Sequence, residues 1–125
     1  MDSSYLKQLF WWLPFGQVPE ISPEVLQQRL GEAGAPVLLD VRTRREWRRS
    51  HIPGAISVPI SKLKKRLPEL DLDPQRPVVA ICLSAHRSIP AVRLLQGQQF
   101  NQAEQLAGGM QAWWRAGLPT RNEPD

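Results

Sequence analysis

The stretch Val78-Val79-Ala80-Ile81-Cys82-Leu83-Ser84-Ala85-His86-Arg87-Ser88-Ile89-Pro90-Ala91-Val92-Arg93-Leu94-Leu95 decides the fold. Its first four residues are apolar without alternation, the pattern of a strand covered on both faces. Beyond Ser88 the period changes. Ile89, Val92 and Leu95 share one helical face with Ala91 and Leu94 beside it, and Pro90 falls in the first turn, where proline is tolerated. Ser88 is placed to cap that helix and Gly97 to end it. A buried strand feeding a helix through a short loop is one unit of a parallel sheet, and the same alternation extends in both directions.

Upstream, Ser22-Pro23-Glu24 offers a capping hydroxyl, an N-terminal proline and an acid, which predicts a helix over Pro23–Leu30. Gly31 and Gly34 release the chain into a strand over 37–41. Residues 43–49 read as a short charged helix anchored by Trp47, and Ile52-Pro53-Gly54 as a turn into a strand over 55–58. A basic helix over 61–67 carries Leu63 and Leu67 on one face, and 68–77 reads as a surface connection. Downstream, Ala103–Leu106 predicts the last strand, and 110–115 a last helix between Gly108-Gly109 and Gly117.

The chain has 125 residues, 42% of them hydrophobic, enough for one core and too few for two domains. The reading divides it into an N-terminal apolar extension (1–18), one α/β domain (19–120) and a flexible C-terminal tail (121–125). A single cysteine excludes an intramolecular disulfide framework and fits a reducing, cytoplasmic setting. No apolar run approaches the roughly 20 residues of a membrane-spanning helix. Asp2, Lys7 and Pro14 do not make a cleaved leader. In residues 1–16, Leu6, Leu9, Phe10 and Leu13 form a stripe widened by Trp11 and Trp12. Three covers fit it: the domain itself, a second copy in a homodimer, or a membrane surface touched peripherally.

Sixteen Lys and Arg against twelve Asp and Glu give a net charge of +4, which steers anions toward the molecule. The positive runs Arg42, Arg44, Arg45, Arg48, Arg49 and Lys62, Lys64, Lys65, Arg66 read as solvated helix faces. With no aromatic interleaving or finger spacing, a nucleic-acid partner is not expected. Two histidines and one cysteine without paired spacing imply no metal, and nothing in the sequence calls for a cofactor.

The chemistry concentrates at Cys82, immediately after the buried strand. Ligands of parallel α/β sheets bind at the carboxyl ends of strands, where helix N-termini favour negative charge. The N–H groups of Leu83, Ser84, Ala85, His86, Arg87 and Ser88 can curl around the sulfur, and Arg87 adds a cation; such a setting supplies a reactive thiolate. Taken alone, a lone cysteine at a strand end is more often a small inert core residue, and the strand-loop-helix setting with Arg87 brings the two readings level.

Three ordered segments resemble the rhodanese family. Leu39-Asp40-Val41-Arg42 with Glu46-Trp47 and His51-Ile52-Pro53-Gly54-Ala55-Ile56 with Pro59 is similar to its amino-terminal signature. Gly108-Gly109 with Trp113, Gly117 and Pro119 is similar to its carboxyl-terminal one, and Cys82 to Ser88 sits where the family's active loop lies. Ser50 and Ala85 depart from it, standing where glycine is usual. The resemblance implies a rhodanese-like, five-stranded, mostly parallel sheet with helices on both faces. It also implies sulfur transfer, with Asp40, Arg42 and Glu46 bracing the loop from below and His51 fixing it. In that chemistry the Cys82 thiolate takes the outer sulfur of a small anionic donor such as thiosulfate, expels sulfite, and passes the persulfide sulfur to cyanide or a thiol. With no second cysteine, the acceptor is external. Two other readings stand beside it. A cysteine phosphatase would place five residues between cysteine and arginine, where this loop has only Leu83, Ser84, Ala85 and His86. A non-catalytic binding module would share the fold without the activity.

Overall fold

The computed structural model of the chain describes residues 16–84 and 86–123. The elements follow as β1 (Glu20–Ile21), α1 (Pro23–Leu30), β2 (Val37–Asp40), α2 (Arg44–Arg49), β3 (Ile56–Ser57), α3 (Ile60–Arg66), a 3-10 turn (Leu67–Leu70), β4 (Val78–Ile81), α4 (Ser88–Gly97), β5 (Ala103–Leu106) and α5 (Gly109–Arg115). The five strands pair in the order β1-β5-β4-β2-β3, and every pairing is parallel. The expected mostly parallel sheet is therefore wholly parallel. Its edge strand β1 carries no period of its own and is created by pairing with β5, Glu20 opposite Gln105 and Ile21 opposite Leu106.

Side-chain alternation divides the core between the two faces of the sheet. Val78, Ala80 and Cys82 pack with Leu63, Leu67, Val92 and Leu95 beneath α3 and α4. Val79 and Ile81 pack with Leu26, Met110 and Trp113 beneath α1 and α5. Residues 68–77 are not wholly a surface connection. The chain runs from α3 into the 3-10 turn, with Pro68 in its first positions and Leu67 buried.

Ser88 does not cap α4. Arg87 holds the cap position without capping the helix through its side chain, and Ser88 is the first helical residue, fully buried. Its hydroxyl donates instead to Gln105 Oε1 at 2.6 Å, while Gln105 Nε2 donates to Glu20 Oε2 at 2.9 Å. The packed sheet offers an acceptor where an isolated helix would offer only its own N–H groups. Removing the hydroxyl leaves the buried Gln105 oxygen short of a donor, so Ser88→Ala is expected to cost about 1–3 kcal/mol, read from chemical unfolding.

The described part of the tail is held in place. Arg121 exchanges two backbone hydrogen bonds with His51 (2.9 and 2.8 Å), and the Glu123 N–H donates to the Arg48 carbonyl at 2.8 Å. The apolar stripe at 6–13 lies outside the described residues. Among the described residues, no helix is long and apolar enough to cross a membrane.

Candidate active site

Cys82 follows the last residue of β4 and is 2% exposed. The chain turns so that the Arg87 N–H donates to Cys82 Sγ at 3.2 Å, closing the loop on its own first residue. Leu83 and Ser84 are half-buried along it and His86 is exposed; Ala85 lies outside the described residues.

The loop rests on the start of α5. The Met110 N–H donates to the Cys82 carbonyl at 2.8 Å and the Gln111 N–H to the Leu83 carbonyl at 3.0 Å. This approach requires Gly109, whose φ is +58°. A Cβ there would stand 2.7 Å from the Leu83 carbonyl carbon and oxygen, and closer still to the Cys82 oxygen. The paired glycines read in sequence as a helix boundary; that they admit a neighbouring backbone was missed.

Glu46 does not join the expected brace with Asp40 and Arg42. Thr43 and Glu46 form a capping box at the start of α2, which turns the carboxylate toward the loop. There it takes both branches of the Arg87 guanidinium, Nη1 to Oε1 at 2.7 Å and Nη2 to Oε2 at 3.0 Å. The guanidinium holds the Glu46 carboxyl down at about 2 against the opposing effect of partial burial, with the Thr43 hydrogen bonds adding to it. Arg87 is correspondingly raised, first by Glu46 and then, through charge and hydrogen bonding, by Cys82.

A depressed carboxyl stabilises the fold at pH values above its ordinary 4.5 and loses that contribution as pH falls toward 2. The chain is expected to exceed E46Q in stability by about 1–2 kcal/mol at neutral pH, the pair being partly exposed to solvent. The gap should close between pH about 4.5 and 2 in melting curves.

Asp40 and Arg42 form the buried brace by themselves. Arg42 Nε and Nη2 donate to the Asp40 carboxylate at 2.9 and 2.7 Å, and Nη2 also reaches the Ser50 carbonyl at 2.7 Å. Both side chains are almost fully buried, so each charge depends on the other. Ser50 is extended at φ −167°, a conformation open to any residue, so glycine is not required there. Its hydroxyl accepts from Trp114 Nε1 at 2.9 Å. His51, expected to fix the active loop, is bonded instead to α2 and the C-terminal segment. Its Nδ1 lies 2.7 Å from the Trp47 carbonyl, which can only accept, and its ring stacks on Trp47 at 4.1 Å.

The rhodanese-like domain family matches residues 22–116. A sulfurtransferase of Allochromatium vinosum is 38% identical over 102 residues, covering 82% of this chain and 94% of that one. The Bacillus subtilis protein YrkF, named for sulfur carriage, is 33% identical over 96 residues, 77% of this chain. The match spans about half of that longer protein, 51%. Among solved structures, the rhodanese-like domain of Anabaena Alr3790 superposes with a TM-score of 0.76 at 32% identity, covering 85% of this chain and 80% of that one. A cysteine loop at the carboxyl end of a parallel strand, both flanking signatures in place and a match over nearly the whole described chain have one reading: the chain belongs to the rhodanese-like domain family.

Proposed function

We propose that the chain is a sulfurtransferase that moves sulfane sulfur from a small anionic donor such as thiosulfate to cyanide or a thiol acceptor, through a persulfide on Cys82. The observation that carries this reading is the Arg87 N–H aimed at Cys82 Sγ, 3.2 Å away, at the mouth of a loop that opens into α4. A backbone donor fixed on the sulfur favours its anionic forms, the attacking thiolate and the terminal sulfur of the persulfide, without having to reorganise between them. The thiolate attacks the outer sulfur of the donor, the new Cys–sulfur bond replaces the donor's sulfur–sulfur bond, and sulfite departs with the electron pair. Leu83, Ser84 and His86 lie along the rest of the described loop, and Ser88 anchors its far end. An acceptor nucleophile then takes the outer sulfur and returns the thiolate.

The phosphatase reading is disfavoured on two grounds. The loop is one residue short, and Glu46 already offsets the Arg87 charge that a phosphate would need. Mass spectrometry of the intact protein after exposure to thiosulfate tests the proposal. The expected result is a gain of one sulfur atom, located on Cys82 and removed by cyanide. No gain under a panel of sulfane donors would overturn it and favour the binding module.

A further inference from the structure

The geometry points to Glu46 as the residue that sets the charge of the sulfur donor: by occupying both branches of Arg87 it makes a site for monoanionic sulfane compounds in preference to the thiosulfate dianion. This rests on the persulfide reading above. Arg87 is the one cation of the described loop whose charge falls on the sulfur, and it is shared, since both Glu46 and Cys82 act on the guanidinium. The bidentate bonds of 2.7 and 3.0 Å take the end-on pair of guanidinium N–H groups and set a full negative charge against Arg87 where a donor's oxyanion would draw on it. Glu46 stays ionised throughout the neutral range because its carboxyl is held near 2. The neighbouring Arg42 is already matched by Asp40.

Two anions facing one cation leave the thiolate site negative before any donor arrives. The net charge of +4 draws anions toward the molecule from a distance. Over the last few ångströms the local count decides, and the penalty grows with each charge the donor carries. A thiosulfonate, R–SO2–S⁻, offers the same sulfonyl-bound outer sulfur with one charge fewer. The thiolate attacks that sulfur, the sulfur–sulfur bond breaks, and a sulfinate leaves with the electron pair, just as sulfite leaves thiosulfate. Charge then separates the two donors while the bond-breaking chemistry is shared.

The test compares thiosulfate with methanethiosulfonate, using cyanide as acceptor, in the full chain and in E46Q. Glutamine keeps the capping-box acceptor for Thr43 and one acceptor for Arg87, and removes the charge together with the second Arg87 bond. In E46Q, kcat/KM for thiosulfate should rise about tenfold relative to methanethiosulfonate, the effect of one unit charge at short range in a partly solvated site. An unchanged ratio, including an equal loss for both donors, would reduce Glu46 to a positioning residue and overturn the inference. If E46Q does not fold, the unaltered chain decides. Its preference for methanethiosulfonate should exceed that of a simple alkanethiolate in the same buffer, and an equal preference overturns the inference. Failure of both donors to load sulfur on Cys82 would instead remove the sulfurtransferase reading itself, which keeps the two failures distinct.

Discussion

Cys82→Ser is expected to abolish sulfur transfer and leave the fold nearly unchanged. A serine hydroxyl stays protonated at neutral pH, and its oxygen cannot form the sulfur–sulfur bond on which the double displacement turns. Structurally the exchange is small. The side chain is buried at the end of β4 and keeps its volume within one atom type. The Arg87 N–H that now meets Sγ at 3.2 Å can donate to a hydroxyl oxygen instead. The cost should be about 1 kcal/mol, from placing a more polar atom against apolar neighbours. Turnover should fall to background in a thiosulfate–cyanide assay while the unfolding midpoint barely moves. Substantial residual turnover would show that Cys82 is not the sulfur carrier, and an unfolded variant would show that it is chiefly a core residue.

Gly109→Ala carries the largest expected effect on stability and acts on activity through the same contact. Two costs combine. At φ +58° an alanine adopts a left-handed conformation that costs about 1–2 kcal/mol. Its Cβ would also press into the Leu83 carbonyl group, 2.7 Å away, and into the Cys82 oxygen. Relieving that overlap moves either α5 or the active loop, for a further cost of about 1–3 kcal/mol. Gly117→Ala separates the two, since Gly117 has φ +70° and nothing within 4 Å of its missing Cβ. The Gly117 variant should lose only the conformational part and keep its activity. The Gly109 variant should lose roughly 2–5 kcal/mol in all and most of its sulfur transfer. Equal losses in the two variants would mean that the approach of α5 to the loop is unimportant.

What the sequence reveals depends on how local its cause is. Val78–Ile81 is legible to the residue because a strand covered by helices on both faces is apolar throughout, and Pro23–Leu30 because its cap, proline and acid lie side by side; Ala103–Leu106, with Glu104 and Gln105 in its middle, has no such apolar run. The edge strand Glu20–Ile21 is not legible, since two residues have no period and their pairing partners lie far along the chain in β5. Ser88 shows the same limit from the other side. A hydroxyl before an apolar helix reads as a cap until the folded sheet brings Gln105 within 2.6 Å. At the site, the position of Cys82 followed from the strand–loop–helix pattern, and Asp40 and Arg42 from the family's signature. The Glu46–Arg87 pair joins residues 41 positions apart, which no local spacing encodes. Its one local trace was the Thr43-x-x-Glu46 capping box, which fixes where the carboxylate begins but not what it meets.

The hydrogen bonds from Met110 and Gln111 to the Cys82 and Leu83 carbonyls have a consequence for biosynthesis. A chain emerging from the ribosome completes β4 and α4 well before α5 exists, so the sulfur-bearing loop cannot take its final shape until nearly the whole domain has been translated. The supporting element is also short, and a helix of seven residues gains its order mainly by docking. On the proposed reading, competence for sulfur chemistry is thus tied to completion of the fold: in a nascent or partly unfolded chain Cys82 lacks the support of α5, and the shaped loop arrives only with that helix.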